Sequence, residues 1–160
     1  MTERSDERLD RERGLEIART CTYFNVRKAT RILGDLFDDA LRPHGLKGTQ
    51  FSLLVAVSLA EGPTVGRLAE ILAADRTTLT RTLAPLERDG LLESRPGEDK
   101  RERRLYLTAE GDRRLCEASS DWERAQQAIV EELGAGSWED LMTGVRAVHG
   151  MGRTGETEAT

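Results

Sequence analysis

No run in this 160-residue chain approaches the roughly 20 consecutive apolar residues that a membrane-spanning helix needs. The amino end, residues 1–14, is charged where a secretory leader would be apolar. Neither a membrane protein nor a secreted one is indicated. Cysteine is scarce: Cys21 and Cys116 lie far apart with no Cys-x-x-Cys spacing, so neither a disulfide scaffold nor a zinc site is suggested, and a reducing cytoplasm is the expected home. Histidine is limited to His44 and His149, and there is no Gly-x-Ser-x-Gly, no glycine-rich phosphate loop and no metal-ligand cluster. An enzyme is therefore the least supported class, and no cofactor or metal is expected. The length suits one domain with its own core rather than two.

Basic charge is also short overall, with a net charge of −5 that would repel nucleic acid, so its distribution matters more than its total. Residues 76–104 hold eight Arg/Lys against six Asp/Glu, a local +2, which leaves −7 to the remainder. Within that basic middle, Lys100, Arg101, Arg103 and Arg104 are tightly clustered.

What is present is helical periodicity. Residues 1–13 alternate acids and arginines with almost no apolar content and are expected to be a disordered arm, as are residues 150–160 at the other end. Over 15–41, Val26, Ala29, Leu33, Leu36/Phe37 and Ala40/Leu41 form one helical stripe, stopped by Pro43 and Gly45. Residues 50–60 are apolar almost all round and predict a central core helix. Thr64 can cap a short helix over 65–73, and Asp75 a second over 76–88, joined by a tight turn. After Gly90, residues 91–95 and 103–107 read as strands flanking Pro96-Gly97-Glu98-Asp99-Lys100, a hairpin with a basic tip. Thr108 then caps a long helix to about Leu133, and Ser137 with Asp140 resembles a capping box for a last one. The fold class is mainly α with a small β-hairpin wing.

At about 100° per residue, Leu79, Leu83 and Leu86 fall on one face of the 76–88 helix. Thr77, Arg81, Ala84 and Arg88 fall opposite, with Thr78 and Thr80 on the flanks. A major-groove reader wants such a face, because arginine pairs bidentately with guanine, threonine reaches phosphates or a thymine methyl, and small residues allow close approach. A merely solvated helix can also be Arg/Thr-rich, but three threonines in four positions lower helix propensity to no evident solubility end. Arg76, at the helix start, joins the candidate contacts. Lys100, Arg101 and Arg103 on the hairpin suit an adjacent minor groove, with Asp99 placed to orient Arg101.

Leu46-x-x-x-Gln50, Leu68-Ala69-Glu70, Asp75-Arg76-Thr77-Thr78-Leu79-Thr80-Arg81, Leu86-Glu87-Arg88-Asp89-Gly90-Leu91, Asp99-x-Arg101 and Leu107-Thr108-x-x-Gly111 resemble, in order and spacing, the pattern of the MarR family of transcriptional regulators. The resemblance covers roughly residues 26–115. It implies a winged helix-turn-helix in a triangular intertwined homodimer, with residues 14–45 and 109–149 as dimerisation helices and 46–108 as the DNA-binding lobe on a pseudo-palindromic operator. It also implies that Thr77, Thr78 and Arg81 face the major groove, while Arg101, steadied by Asp99, enters the minor groove. Repression, relieved by a small aromatic effector between the dimer helices and the lobe, is the simplest mode; oxidation of a cysteine is the other. Counting back from Gln50, the reactive cysteine of the peroxide-sensing branch falls at Tyr23, with Cys21 two residues earlier. His44, beside Pro43 and Gly45 where the lobes meet, is the candidate effector contact, against the plainer reading of an exposed loop histidine. A winged module used for protein contact, which the acidity would suit, remains the rival from another class.

Overall fold

The computed structural model describes residues 9–97 and 102–153, so the hairpin-tip candidates Asp99, Lys100 and Arg101 lie outside the described residues. The first helix expected over 15–41 is two helices, α1 (Arg11–Thr20) and α2 (Thr22–Leu41). The break is Cys21, whose backbone is extended and whose Sγ accepts the Phe24 amide at 3.5 Å. Asn25 seals the joint by donating from Nδ2 to the carbonyls of Cys21 at 2.8 Å and Ala18 at 3.1 Å, so the last carbonyls of α1 find partners on α2. Helix α1 starts inside the stretch expected to be an arm because Asp10 caps it, its carboxylate accepting the Arg13 amide at 2.7 Å.

A 3-10 turn, Arg42–His44, ends at Gly45 with φ of 67°, and the chain then enters α3 (Gly48–Leu59). Phe51, Leu53, Leu54, Ala56 and Val57 of α3 are buried at the middle of a single apolar cluster. The all-round burial expected of this helix stops before its end, where Leu59 is 79% exposed. Helices α4 (Val65–Ile71) and α5 (Arg76–Arg88) follow, capped by Thr64 and Asp75 as the sequence predicts. They contribute Leu68 and the trio Leu79, Leu83 and Leu86 to the cluster. Pro85 removes the amide that would bond the Arg81 carbonyl, yet α5 holds together to Arg88. The turn beyond it is fastened by the Asp89 amide on the Pro85 carbonyl and the Leu91 amide on the Leu86 carbonyl, both at 2.9 Å.

Strands β1 (Leu92–Pro96) and β2 (Arg103–Leu107) pair antiparallel, with Leu92 opposite Leu107 and Pro96 opposite Arg103. The hairpin is tied to the α3–α4 turn by the Leu105 amide on the Pro63 carbonyl at 3.0 Å and by Arg104 Nη1 on the Gly62 carbonyl at 3.1 Å. Helix α6 (Ala109–Leu133) runs back along α2, and α7 (Ala135–Arg153) follows after a single positive-φ residue, Gly134. Ser137 and Asp140 therefore lie inside α7 and do not cap it, a correction to the expected capping box: Gly134 turns the chain sharply enough for the helix to start at Ala135. No helix among the described residues is long and apolar enough to cross a membrane.

The lobe meets the long helix at one tight contact. Thr108 caps α6 by accepting the Gly111 amide at 3.0 Å, while its hydroxyl donates to the Gly90 carbonyl at 2.6 Å and its amide to the Leu91 carbonyl at 3.1 Å. A β-carbon on Gly111 would lie 2.0 Å from the Leu91 carbonyl oxygen, so backbone must move to admit one. We expect Gly111→Ala to destabilise the protein by about 2–3 kcal/mol, as overpacking does, and to lower the thermal midpoint by roughly 5–10 °C for a chain of this size. An unchanged melting curve would show that this approach is not the constraint described.

Candidate nucleic-acid interface

Helix α5 presents two opposite surfaces, and its local chemistry fixes which faces out. Leu79, Leu83 and Leu86 enter the core, which turns Thr77, Arg81, Ala84 and Arg88 to solvent, and Arg76, Thr78 and Thr80 are exposed as well. The first turn is built by Asp75, whose carboxylate accepts the Thr78 amide at 2.8 Å. The Thr78 hydroxyl, then its amide, hold the Asp75 carboxyl below its ordinary value. A carboxyl depressed in this way supports the fold above its unfolded-state value, and that support is lost as pH falls through the lower folded one.

The expected contact residues differ in what their polar groups are already doing. The Thr80 hydroxyl donates to the Arg76 carbonyl at 2.7 Å, and the Thr78 hydroxyl serves Asp75. Arg88 pairs with Asp89 at 3.1 Å. On the hairpin, Arg103 lies along β1, donating from Nε to the Ser94 hydroxyl at 3.0 Å and from Nη2 to the Ser94 carbonyl at 3.2 Å. By contrast Arg76, Thr77 and Arg81 have no side-chain hydrogen bond or ion pair within the described residues. They form a short run of uncommitted donors at the start of the exposed face, suited to phosphate oxygens and base edges. Arg95 escaped the sequence reading: it lies over the Tyr106 ring, 4.8 Å from the centroid, and also pairs with Glu93. A strand arginine cross-strand from another arginine gives no periodic signal to find it by.

The two candidates for sensing are not brought together. Cys21 is the joint between α1 and α2, and Cys116 is exposed on α6. His44 is only 17% exposed and is not a free loop histidine: its Nε2 lies 2.6 Å from Asp121 Oδ2 on α6, and Arg114 Nη1 donates to its carbonyl at 2.8 Å. A cavity of about 570 Å³ opens instead between α2, the start of α3 and the first turns of α5. Phe37, Phe51 and Trp122 give it an aromatic wall, with Phe51 and Trp122 stacked at 6.1 Å between centroids, and Thr78 and Thr82 reach it from α5. Among the described residues no group of three or more His, Cys, Asp or Glu is gathered to hold a metal.

Two short helices joined by a tight turn, an exposed Arg/Thr face on the second and a hairpin tied beside them define a winged helix-turn-helix protein. Residues 44–102 match the model of the MarR family. An uncharacterised HTH-type transcriptional regulator of Bacillus subtilis, YwoH, is 30% identical over 108 residues, covering 68% of this chain and 79% of that protein. The M. tuberculosis transcriptional regulator MosR, solved in complex with DNA, is 35% identical with a TM-score of 0.76, covering 85% of this chain and 98% of its own. A cysteine-to-serine variant of MarR from E. coli, solved with operator DNA, shares the fold at 23% identity and a TM-score of 0.76, covering 84% of this chain and 97% of its own. The chain belongs to the MarR family, whose members are transcriptional regulators.

Because Asp75 organises the first turn of α5, Asp75→Ala is expected to melt lower than the parent near neutral pH, with the two curves converging as pH is taken below the carboxylate range. Asp75→Asn, which keeps an acceptor oxygen, should fall between them. A constant gap across the acid range would remove the carboxylate from this role.

Proposed function

We propose that this protein is a sequence-specific DNA-binding repressor that works in the cytoplasm as a homodimer on a pseudo-palindromic operator. The observation that carries the reading is the start of α5, where among the described residues Arg76, Thr77 and Arg81 keep their donors free while those of Thr78, Thr80 and Arg88 are committed. Thr77 and Arg81 would reach base edges in the major groove, and the hairpin would follow the flanking backbone with Arg103 and, at its tip, Lys100 and Arg101 steadied by Asp99. That MosR and the MarR variant were solved on DNA supports this use of the same fold.

Pairing through the outer helices is supported by where apolar surface stays uncovered. Leu15, Ile17, Phe24, Val26, Ile32 and Leu36 on α1 and α2, and Leu141 and Val148 on α7, are each more than 40% exposed. A second copy packed against these helices would take that apolar surface out of water. The aromatic-walled cavity is the proposed effector site. An occupant would touch α2 of the dimer region and Thr78 and Thr82 of the reading helix at once, so filling it favours one spacing of the two α5 helices over another.

The purified protein, mixed with sheared genomic DNA, should retain a small set of fragments sharing an inverted repeat, with affinity falling about a thousand-fold between 50 and 200 mM salt. Arg81→Ala should cost about 10- to 100-fold on the selected operator and relax preference at one base position of each half-site. Small aromatic compounds added to the complex should release it. Binding by Arg81→Ala as tight and as selective as the parent's, or a monomer in sedimentation at working concentration, would overturn the proposal.

A further inference from the structure

We propose that Gly66, which offers no group for DNA to touch, is a positioning residue for operator binding: by carrying no side chain on the first turn of α4, it keeps open the slot across which Arg76 lays its guanidinium. The inference rests on the operator-binding reading above and adds to it a residue that makes no contact of its own. Arg76 opens α5, but its side chain reaches back across the interhelical turn, so that a β-carbon on Gly66 would stand 3.1 Å from Nη2 and 3.6 Å from Cζ. That is closer than a side-chain contact settles, and the atom in the way is the far end of a flexible chain, not backbone. An alanine there would push the guanidinium aside by only a few tenths of an ångström, whereas a longer side chain would take its place and leave the fold standing.

Three further observations give the slot its meaning. The backbone at Gly66 lies in ordinary helical space, without the positive φ seen at Gly45, Gly62, Gly90 and Gly134, so conformation does not call for glycine. Glycine is among the poorest helix formers, and in a helix as short as Val65–Ile71 its presence weakens the element. What it supplies is room. The guanidinium that occupies this room has no ion-pair or hydrogen-bond partner within the described residues, and the neighbouring acid on α4, Glu70, is taken up by Arg67 at 2.8 Å. The Arg76 guanidinium thus lies against Gly66 with its donor fork free among the described residues. It sits at the outer rim of the two-helix unit, beside and not within the face that carries Thr77 and Arg81. Such a placement suits a backbone phosphate flanking the bases read by α5, where arginine binds bidentately and fixes register without reading sequence.

The test uses the full chain and an operator fragment selected from genomic DNA, comparing the parent with Gly66→Ala, Gly66→Met, Arg76→Ala and the Gly66→Met/Arg76→Ala pair. Thermal midpoint and dissociation constant are read at several salt concentrations. Gly66→Ala should melt no lower than the parent and bind nearly as tightly, while Gly66→Met should bind about 10-fold more weakly, as for loss of a single phosphate contact. The slope of log affinity against log salt should fall by about one in Gly66→Met and in Arg76→Ala alike, and the pair should bind no worse than Arg76→Ala alone. Unchanged affinity and slope in Gly66→Met, an equal further loss in the Arg76→Ala background, or a lowered midpoint in Gly66→Ala would each overturn the inference. A parent that retains no DNA would instead remove the operator reading on which it stands.

Discussion

The first turn of α6 rests on the main chain of Gly90 and Leu91 with no space for a β-carbon at Gly111, and the positions of both functional regions follow from that contact. On one side of it α5 has just ended; on the other begins the longest helix among the described residues. Side-chain packing alone would let two such helices slide by a rotamer change, because hydrocarbon contacts are undirected. Backbone against backbone, with Thr108 bonded to both carbonyls, fixes distance and direction together. The second fastening, Arg104 and Leu105 on the turn at Gly62 and Pro63, does the same for the hairpin. The reading helix, its wing and α6 are therefore set relative to one another by main-chain hydrogen bonds at both ends of the lobe.

Charge is handled by commitment rather than by excess. A chain with a net charge of −5 can still meet a polyanion if its few free cations stand together and the others are neutralised nearby. Arg67, Arg88, Arg95 and Arg113 all have carboxylate partners within a few residues, and these exposed pairs add little to stability. Arg76 and Arg81 on α5 have no such partner among the described residues, nor do Arg31 on α2 and Arg146 on α7. The acidic balance disfavours indiscriminate binding to nucleic acid.

The parts of this architecture legible in the sequence are those determined within a turn or two of chain. Helix α5 could be read to both ends because Asp75 caps it, three leucines mark its inner face and Gly90 takes the positive φ that ends it. Thr108 and the hairpin strands were similarly local. The break at Cys21 was not, since the apolar stripe runs on without glycine or proline and the signal is a thiol cap and one asparagine reaching backward. Ser137 shows the reverse error, a capping pattern overridden by the glycine three residues before it. The pairing of His44 was not legible because its partner, Asp121, is 77 residues away. Which threonine hydroxyls were spoken for depended on helix geometry that residue type alone does not reveal.

Pro85 leaves the hydrogen-bond ladder of α5 one rung short at the Arg81 carbonyl. The half beyond it is clamped at Leu86 and Leu91, whereas the half before it carries the exposed face and borders the cavity at Thr78 and Thr82. A rod with one missing rung is most compliant at that rung. Bending at that rung would tilt the turns that carry Thr77 and Arg81 relative to the end fastened by the Leu91 amide.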